Sequence, residues 1–355
     1  MTLETIHARA GSPEEATVST ARHRQPMYGA FYGLSEPPFD LSPDPRFLFL
    51  TPRQREALGN LHYGLSTSRG FTMLVGDAGT GKTTILRAVL AGLSDSNSRY
   101  VLISNPTLEK AEFYELLTRG FELSPATLKS KATFLAELQE NVETRFAAGG
   151  LTGIIIDEAH SLPSQLLEEI RLLGNIETTN TKLLNIVLAG QPELAGRLNE
   201  PALRQLKQRV TLRCELRALG VDETAAYIAG RLRIAGGTPE HIFSHEAVGA
   251  IHRNSLGIPR TINVLCDNAL LSGFAVEAKP ITAAIIGDVC RDFDLRPAAE
   301  ANYVSAIETS TPAPAPPPPA ESPQETQPER RAVERELFAP LQSPKPRFSF
   351  FPKLF

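Results

Sequence analysis

Tryptophan is absent from this 355-residue chain, aromatic residues make up only 7% of it, and cysteine occurs three times. The cysteines, Cys214, Cys266 and Cys290, are far apart and form no C-x-x-C pair. That excludes a disulfide framework and a zinc site of ordinary spacing, and reads as buried thiols in a reducing compartment. No apolar run nears the roughly 20 residues that a membrane-spanning helix needs. The first twenty residues carry acids early and no apolar stretch, so no secretory signal is expected. Charge is nearly balanced: 36 Lys+Arg against 40 Asp+Glu give a net −4. A general nucleic-acid coat protein would be strongly basic, although a local basic patch stays open. Together these absences lead us to expect a cytoplasmic protein.

The 42% of hydrophobic residues is enough for a proper core, and the length suits about two domains with tails. Residues 1–27 are polar and without periodicity, and are expected to be disordered; Met27 offers an alternative start. From Pro297 to the end, 13 of the 28 prolines fall within 59 residues, including TPAPAPPPPA at 311–320. This composition favours extended polyproline II and cannot build a core. The last stretch, KPRFSFFPKLF, combines Lys345, Arg347 and Lys353 with four phenylalanines, and reads equally as a docking peptide or as an unselected end.

Between the tails, short apolar runs alternate with helical patterns. The runs are Phe71–Val75, Tyr100–Ile103, Gly153–Ile156, Asn185–Ala189 and Val210–Cys214. Being brief and mostly apolar rather than alternating, they suit strands of a parallel sheet buried on both faces. Helical periodicity fills the gaps, as in 133–146, where Phe134, Leu135, Leu138, Val142 and Phe146 form one stripe. After about residue 220 the strands stop, and 221–234, 245–253, 260–274 and 281–293 all read as helices. The expected fold is therefore α/β, with a helix-flanked parallel sheet over 28–219 and a small all-helical domain over 220–296.

The first strand runs directly into Gly76-Asp77-Ala78-Gly79-Thr80-Gly81-Lys82-Thr83, which satisfies G-x-x-x-x-G-K-[ST] in full, with a strand before it and a helix (84–93) after it. The glycines let backbone N–H groups close around phosphate oxygens, and the helix adds its positive end. Lys82 supplies a charge for the β- and γ-phosphates, and Thr83 a hydroxyl ligand for Mg²⁺. Thr84 completes the phosphate-binding set. A second element, Ile154-Ile155-Ile156-Asp157-Glu158, puts two acids at the end of a buried strand, where ligands bind in an open parallel sheet. Asp157 is assigned to the metal, and Glu158 to polarising the water that attacks the γ-phosphate. The sequence Asp157-Glu158-Ala159-His160 invites a helicase reading, but the chain leaves no room for a second motor domain. His160 reads first as a surface or capping histidine, with contact to the site as the alternative.

Seven blocks in order carry a wider resemblance: FYGLSEPPFDLSPDPRFLFL (31–50), REALGNLHYGL (55–65), GDAGTGKTT (76–84), IIIDEAHSL (155–162), IVLAGQPEL (186–194), LRQLKQRV (203–210) and GIPRTINVLCDNALL (257–271). Over about residues 28–295 the chain resembles the AAA+ ATPases of the general secretion pathway protein A (ExeA-like) group and related ATPases found beside exopolysaccharide and exosortase loci. The resemblance implies a P-loop NTPase with a five-stranded AAA+ sheet and a helical lid, ATP and Mg²⁺ as ligands, and assembly into a homo-oligomer.

It also implies roles for further residues. Gln191 takes the place of the polar sensor after the fourth strand. Arg209, ahead of Arg204, takes that of the arginine finger that reaches a neighbouring subunit's nucleotide. Arg260, which opens a lid helix where a cation has no macrodipole reason to stand, takes that of the lid sensor. The block Phe31, Tyr32, Pro37, Pro38, Phe39, Pro45 and Phe47 is expected to pack at the base edge, most of it as core. Members of the secretion group continue into a membrane span and a periplasmic peptidoglycan-binding region. A proline-rich tail stands there in this chain, which speaks against a direct cell-wall role.

Three functions follow as alternatives. The first is an ATP-hydrolysing motor or switch for envelope secretion or polysaccharide export, in the cytoplasm or peripheral at the inner membrane. The second is a DNA-directed ATPase of the transposition-helper type. It would need a basic patch such as Lys207, Arg209 and Arg213, or Arg231 and Arg233. The third is a non-hydrolysing scaffold, against which the Asp157-Glu158 pair argues.

Overall fold

All but the last of the expected strands carry apolar side chains on both faces, and the computed structural model shows where they go. It describes residues 3–7, 26–41, 44–93, 97–104, 107–179 and 181–294. The expectations for most of the amino-terminal extension and for the proline-rich and phenylalanine-rich tail lie outside these residues. The strands are β1 (Leu3–His7), β2 (Phe71–Gly76), β3 (Arg99–Ile103), β4 (Thr152–Ile156), β5 (Leu184–Gly190) and β6 (Val210–Leu216). They lie in the order β1-β3-β4-β5-β2-β6. The last five are mutually parallel, as expected.

Strand β1 corrects the expectation that 1–27 is wholly without structure. It pairs antiparallel with β3 along its whole length, from Leu3 opposite Ile103 to His7 opposite Arg99. The edge of a parallel sheet offers a row of free N–H and C=O groups, and an extended segment that reaches it can satisfy them without needing helical periodicity.

The helices are α1 (Gly29–Tyr32), α2 (Pro52–Ser66), α3 (Lys82–Gly92), α4 (Lys110–Gly120), α5 (Lys131–Ala147), α6 (Ser164–Leu173), α7 (Pro192–Arg197), α8 (Arg204–Arg209), α9 (Val221–Ile234), α10 (Pro239–Ile242), α11 (His245–Ser255), α12 (Pro259–Ala275) and α13 (Ala283–Asp292). Because strand side chains alternate between faces, Ile154, Ile156, Ile186 and Leu188 join a core beneath α4, α5 and α6. Ile155, Val187, Leu74 and Leu102 join a second core beneath α2 and α3. Two buried faces explain the uninterrupted apolar runs. Strand β6 is the exception: it lies at the other edge, and Thr211, Arg213 and Glu215 face outward while Cys214 and Leu216 are buried. In α5 the stripe holds at Phe134, Leu138 and Val142, but Phe146 at its end is 40% exposed.

A third core gathers α9 to α13. It takes in Tyr28, Tyr32 and Phe39 from the segment ahead of the sheet. Tyr28 donates to Asp267 of α12, and Arg231 of α9 donates to the carbonyl oxygens of Pro38 and Asp40. The amino-terminal aromatic segment is thus built mainly into the helical bundle. All three cysteines are buried and free. Since β2, β4 and β5 are parallel, the turns after them emerge at one edge of the sheet, next to α12. No helix among the described residues is long and apolar enough to cross a membrane.

Candidate nucleotide site

The loop between β2 and α3 is held by its own side chains. Thr80, fully buried, donates to the carbonyl of Asp77 at 2.8 Å. Lys82, 4% exposed, donates to the carbonyls of Gly76 at 2.9 Å and Asp77 at 3.0 Å. The glycines serve different needs. Gly79 and Gly81 have φ of +80° and +96°, values that side-chain-bearing residues adopt only under strain. Gly76 is needed for closeness, because a Cβ there would sit 2.8 Å from both the carbonyl oxygen of Leu216 and the hydroxyl of Thr80. Gly81 caps α3 without any side-chain acceptor, so the first-turn amides of that helix are left for an external anion.

Residues Gly79 to Ile85 form one wall of a cleft of about 490 Å³. Glu158 and Arg260 border the same cleft. Gly76, Asp77 and Ala78, expected among the phosphate ligands, do not border it: Gly76 is buried at the end of β2, and Asp77 and Ala78 are exposed.

Asp157 is 3% exposed. One of its oxygens accepts from Thr83 Oγ1, and the other from the Glu158 amide at 2.9 Å. Among the described residues no cation pairs with it. A buried carboxylate without a cation is costly, and its neighbour is a hydroxyl oxygen. Two hard oxygens side by side, one of them anionic, suit Mg²⁺, so the residues fit the metal that the sequence assigns to Thr83 and Asp157. Glu158 follows at φ +55°, a left-handed conformation that costs a non-glycine residue about 1–2 kcal/mol. Strain of this kind gathers at functional sites.

At the other end of the cleft, Leu41, Phe47, Leu48 and Phe49 face Tyr227, Arg231 and Asn263 of the bundle. Of the expected aromatic and proline block Phe47 borders the cleft, whereas Tyr32 and Phe39 lie in the bundle core, with Phe31 packed against it. Arg231 lies 4.8 Å from the Phe47 ring centre and donates to Tyr227 Oη at 2.8 Å. Tyr227 in turn donates to Asn263 Oδ1 at 2.8 Å. Burial pushes the Tyr227 phenol up from its usual range, against the opposing effect of Arg231, so it remains a neutral donor. Being buried in this way, Arg231 is lost to any basic patch for nucleic acid.

The bundle touches the phosphate loop directly. The Arg260 amide donates to the carbonyl of Gly79 at 3.2 Å, and a Cβ on Gly79 would lie 2.8 Å from Arg260 Cβ and 3.0 Å from Ile258 Cγ2. The Arg260 side chain is exposed. Arg209 and Arg204, by contrast, do not border the cleft. Arg209 donates to the carbonyl of Arg171 at 2.9 Å, near the end of α6, where a helix favours a cation. Arg204 is exposed.

Gln191 stands at the end of β5 and does not border the cleft either. It is bound to His160: its amide N–H approaches His160 Nδ1 at 3.4 Å and its side-chain nitrogen lies 3.1 Å from His160 Nε2. His160 Nδ1 is also 3.4 Å from Glu158 Oε2. Arg197 of α7 donates to the carbonyls of His160 at 2.6 Å and Leu162 at 2.7 Å. Of the two readings of His160, contact with the site is therefore the one that the structure favours over a surface or capping role. It stood second in the sequence reading because nothing in the local pattern shows that the turns after β4 and β5 meet; the signal for it was its place two residues beyond Glu158.

Comparison with known proteins agrees with this geometry. An AAA domain family model matches residues 65–198. General secretion pathway protein A of Aeromonas hydrophila is 42% identical over 251 residues, 70% of this chain. The chain spans 45% of that relative's length. Among solved structures, Drosophila ORC bound to DNA superposes with a TM-score of 0.57 at 18% identity, covering 86% of this chain and 73% of that one. Cdc6p of Pyrobaculum aerophilum gives 0.55 at 18%, covering 69% and 67%. The ORC2 protein of Aeropyrum pernix, in ADPNP–ADP complexes, gives 0.54 at 15%, covering 71% and 70%. At such identities these likenesses concern the fold alone. The fold is that of the AAA+ P-loop ATPases, and over 70% of its length this chain is similar to general secretion pathway protein A.

Proposed function

We propose that this protein binds Mg-ATP in the cleft and hydrolyses it, and that the cycle switches contacts between copies of the chain in an envelope secretion or polysaccharide-export assembly. The observation that carries the catalytic part is the buried Asp157, joined to Thr83 and without a cation partner among the described residues, with Glu158 on the same cleft. Lys82 and the amides of Gly79 to Thr84 bind the phosphates. Magnesium held by Thr83 and Asp157 would neutralise charge on the phosphate oxygens. Glu158 accepts a proton from the attacking water, and Arg260 stabilises the γ-phosphate from the lid side. Gln191 acts as sensor. Arg209, or Arg204 beside it, completes a neighbour's site, a contribution worth roughly 10³–10⁵-fold in rate in related chemistry.

The secretion role rests on the relative's name, and with it a cytoplasmic position, soluble or at the inner face of the membrane. The test is steady-state ATP hydrolysis against protein concentration for the wild type, Glu158→Gln, Arg204→Ala and Arg209→Ala, with and without DNA. We expect the rate per subunit to climb with concentration, Glu158→Gln to abolish it, and one arginine variant to remove the climb. A flat rate that both arginine variants leave intact would point to a monomeric switch. Strong, salt-sensitive stimulation by DNA would replace the export reading.

A further inference from the structure

The two edges of the sheet are not alike. At one, β1 lies along β3; at the other, no strand among the described residues pairs with the outer side of β6. The seven residues Val210–Leu216 run there without a proline. A strand paired on one side only turns half of its N–H and C=O groups outward, and such an edge is a template for another strand. Beside it lies a groove of about 370 Å³ whose lining includes Val75, Asp77, Pro192, Arg213, Glu215 and Ala218. The hydrogen bond from Arg217, with the charges of Arg217, Arg213 and Arg53, holds the Glu215 carboxyl below its usual range. Arg213 has no ion pair among the described residues. At the strand itself positive charge is therefore in excess.

The exit of the chain from the bundle decides what can reach this edge. Phe243 and Ile281 form a parallel bridge. Helix α11 starts two residues after Phe243, and α13 two residues after Ile281. The two helices pack together and have 11 and 10 residues, so α13 ends beside the end of α11. There the Gly257 carbonyl accepts from the Leu219 amide at 2.8 Å, and Leu219 is three residues beyond β6. The chain thus leaves the bundle next to the carboxyl end of β6, with residues 295–355 still to follow.

A strand that joins an edge must donate N–H groups, which proline lacks. Beyond Pro297 the longest stretch without proline is 298–311. At its centre is Asn302-Tyr303-Val304-Ser305-Ala306-Ile307-Glu308, in which Tyr, Val and Ile favour strands. From Pro297 to Glu329 there are five acids and no lysine or arginine, the charge that suits Arg213, Arg217 and Arg53. The link 295–301 reaches at most about 25 Å. It would meet the carboxyl end of β6 first, which makes the added strand antiparallel.

We propose that residues 302–308 add to the outer edge of β6 as an antiparallel strand within the same copy of the chain. Tyr303, near its start, then lies by the groove, and Glu300 by Arg217. The added strand closes this edge against other chains as β1 closes that of β3.

The test is amide-resolved hydrogen exchange on the full chain, without nucleotide, for the wild type and for Val304→Pro/Ile307→Pro. The two positions have opposite parity along a strand, so one of the prolines removes a donor aimed at β6. Neither touches the sheet or the bundle. Alternate amides of 210–216 should exchange about tenfold faster or more in the variant, with β3 to β5 and the melting temperature unchanged. Equal rates in the two proteins overturn the proposal, and so does a general acceleration through β3 to β5. The occupant is identified by bridging Arg213→Cys/Ser305→Cys with a short bis-maleimide, since the three native cysteines are buried. A cross-link within one chain is expected. Cross-linked dimers alone would put a second copy's segment on the edge and overturn the same-copy assignment, and no cross-link at all would overturn the docking.

Discussion

Replacing Gly79 or Gly81 by alanine separates two physical demands on the phosphate loop. Both residues have positive φ, so each alanine incurs a left-handed penalty of about 1–2 kcal/mol. Around Gly81 nothing lies within 4 Å of an added Cβ. At Gly79 the new methyl would lie 2.8 Å from Arg260 Cβ and 3.0 Å from Ile258 Cγ2. Neither neighbour is the free end of a flexible chain, and the Arg260 amide is bonded to the Gly79 carbonyl. The start of α12 must move. Overpacking of this kind costs about 1–3 kcal/mol more. In thermal unfolding without nucleotide, Gly79→Ala should melt below Gly81→Ala by roughly 2–12 °C, taking about 2–4 °C per kcal/mol for a body of this size. Titration with a fluorescent ATP analogue should show the same order, because α12 carries Arg260. If the two variants melt together, the lid does not rest on the loop as described, and Gly79 is required for its backbone angle alone.

Further outcomes follow from single residues. Glu158→Gly relieves the positive φ at that position and should leave the folded protein no less stable, or up to about 1 kcal/mol more stable, while turnover disappears; a large loss of stability would contradict the strained reading. Partial burial alone would raise the Glu169 carboxyl, but hydrogen bonds from Lys110, Lys131 and Tyr114 outweigh it and hold it down at about 2. That stabilisation, on the order of 3 kcal/mol, is complete above the usual carboxylate value of 4.5 and is lost as pH falls toward 2. Acid unfolding of Glu169→Gln should therefore depend less on pH between 4.5 and 2 than that of the wild type. Tyr227→Phe takes from buried Arg231 an acceptor and from Asn263 a donor, and should cost about 1–3 kcal/mol in chemical denaturation. Arg209→Ala removes a bond to the end of α6 and should lower stability by about 1 kcal/mol, whereas Arg204→Ala should not; equal melting of the two would deny Arg209 a structural part.

What the sequence determined alone is local. The runs around Ile154–Ile156 and Ile186–Ala189 had to be strands buried on both faces, because no polar residue interrupts them. The loop Gly76–Thr83 announced its chemistry because phosphate binding by backbone amides is a property of consecutive residues. Helices α9 and α12 were legible nearly to the residue from their periodicity and from Pro259 at a helix start.

What only the tertiary structure decided concerns residues far apart in the chain. Gly79 needs no side chain partly because Arg260, 181 positions later, lies against it. Tyr32 and Phe39 joined the bundle rather than the base edge because α9 to α13 offered them a core, which no pattern near residue 39 records. Strand β1 formed because an edge was free, a property of β3 and not of residues 3–7. His160 became part of the site because parallel strands β4 and β5 are neighbours, and neighbouring parallel strands release their turns at the same edge of the sheet. Periodicity and motifs report bonds that a residue makes within a few positions; the packing of one turn on another depends on strand order, and strand order is settled only when the whole sheet is assembled.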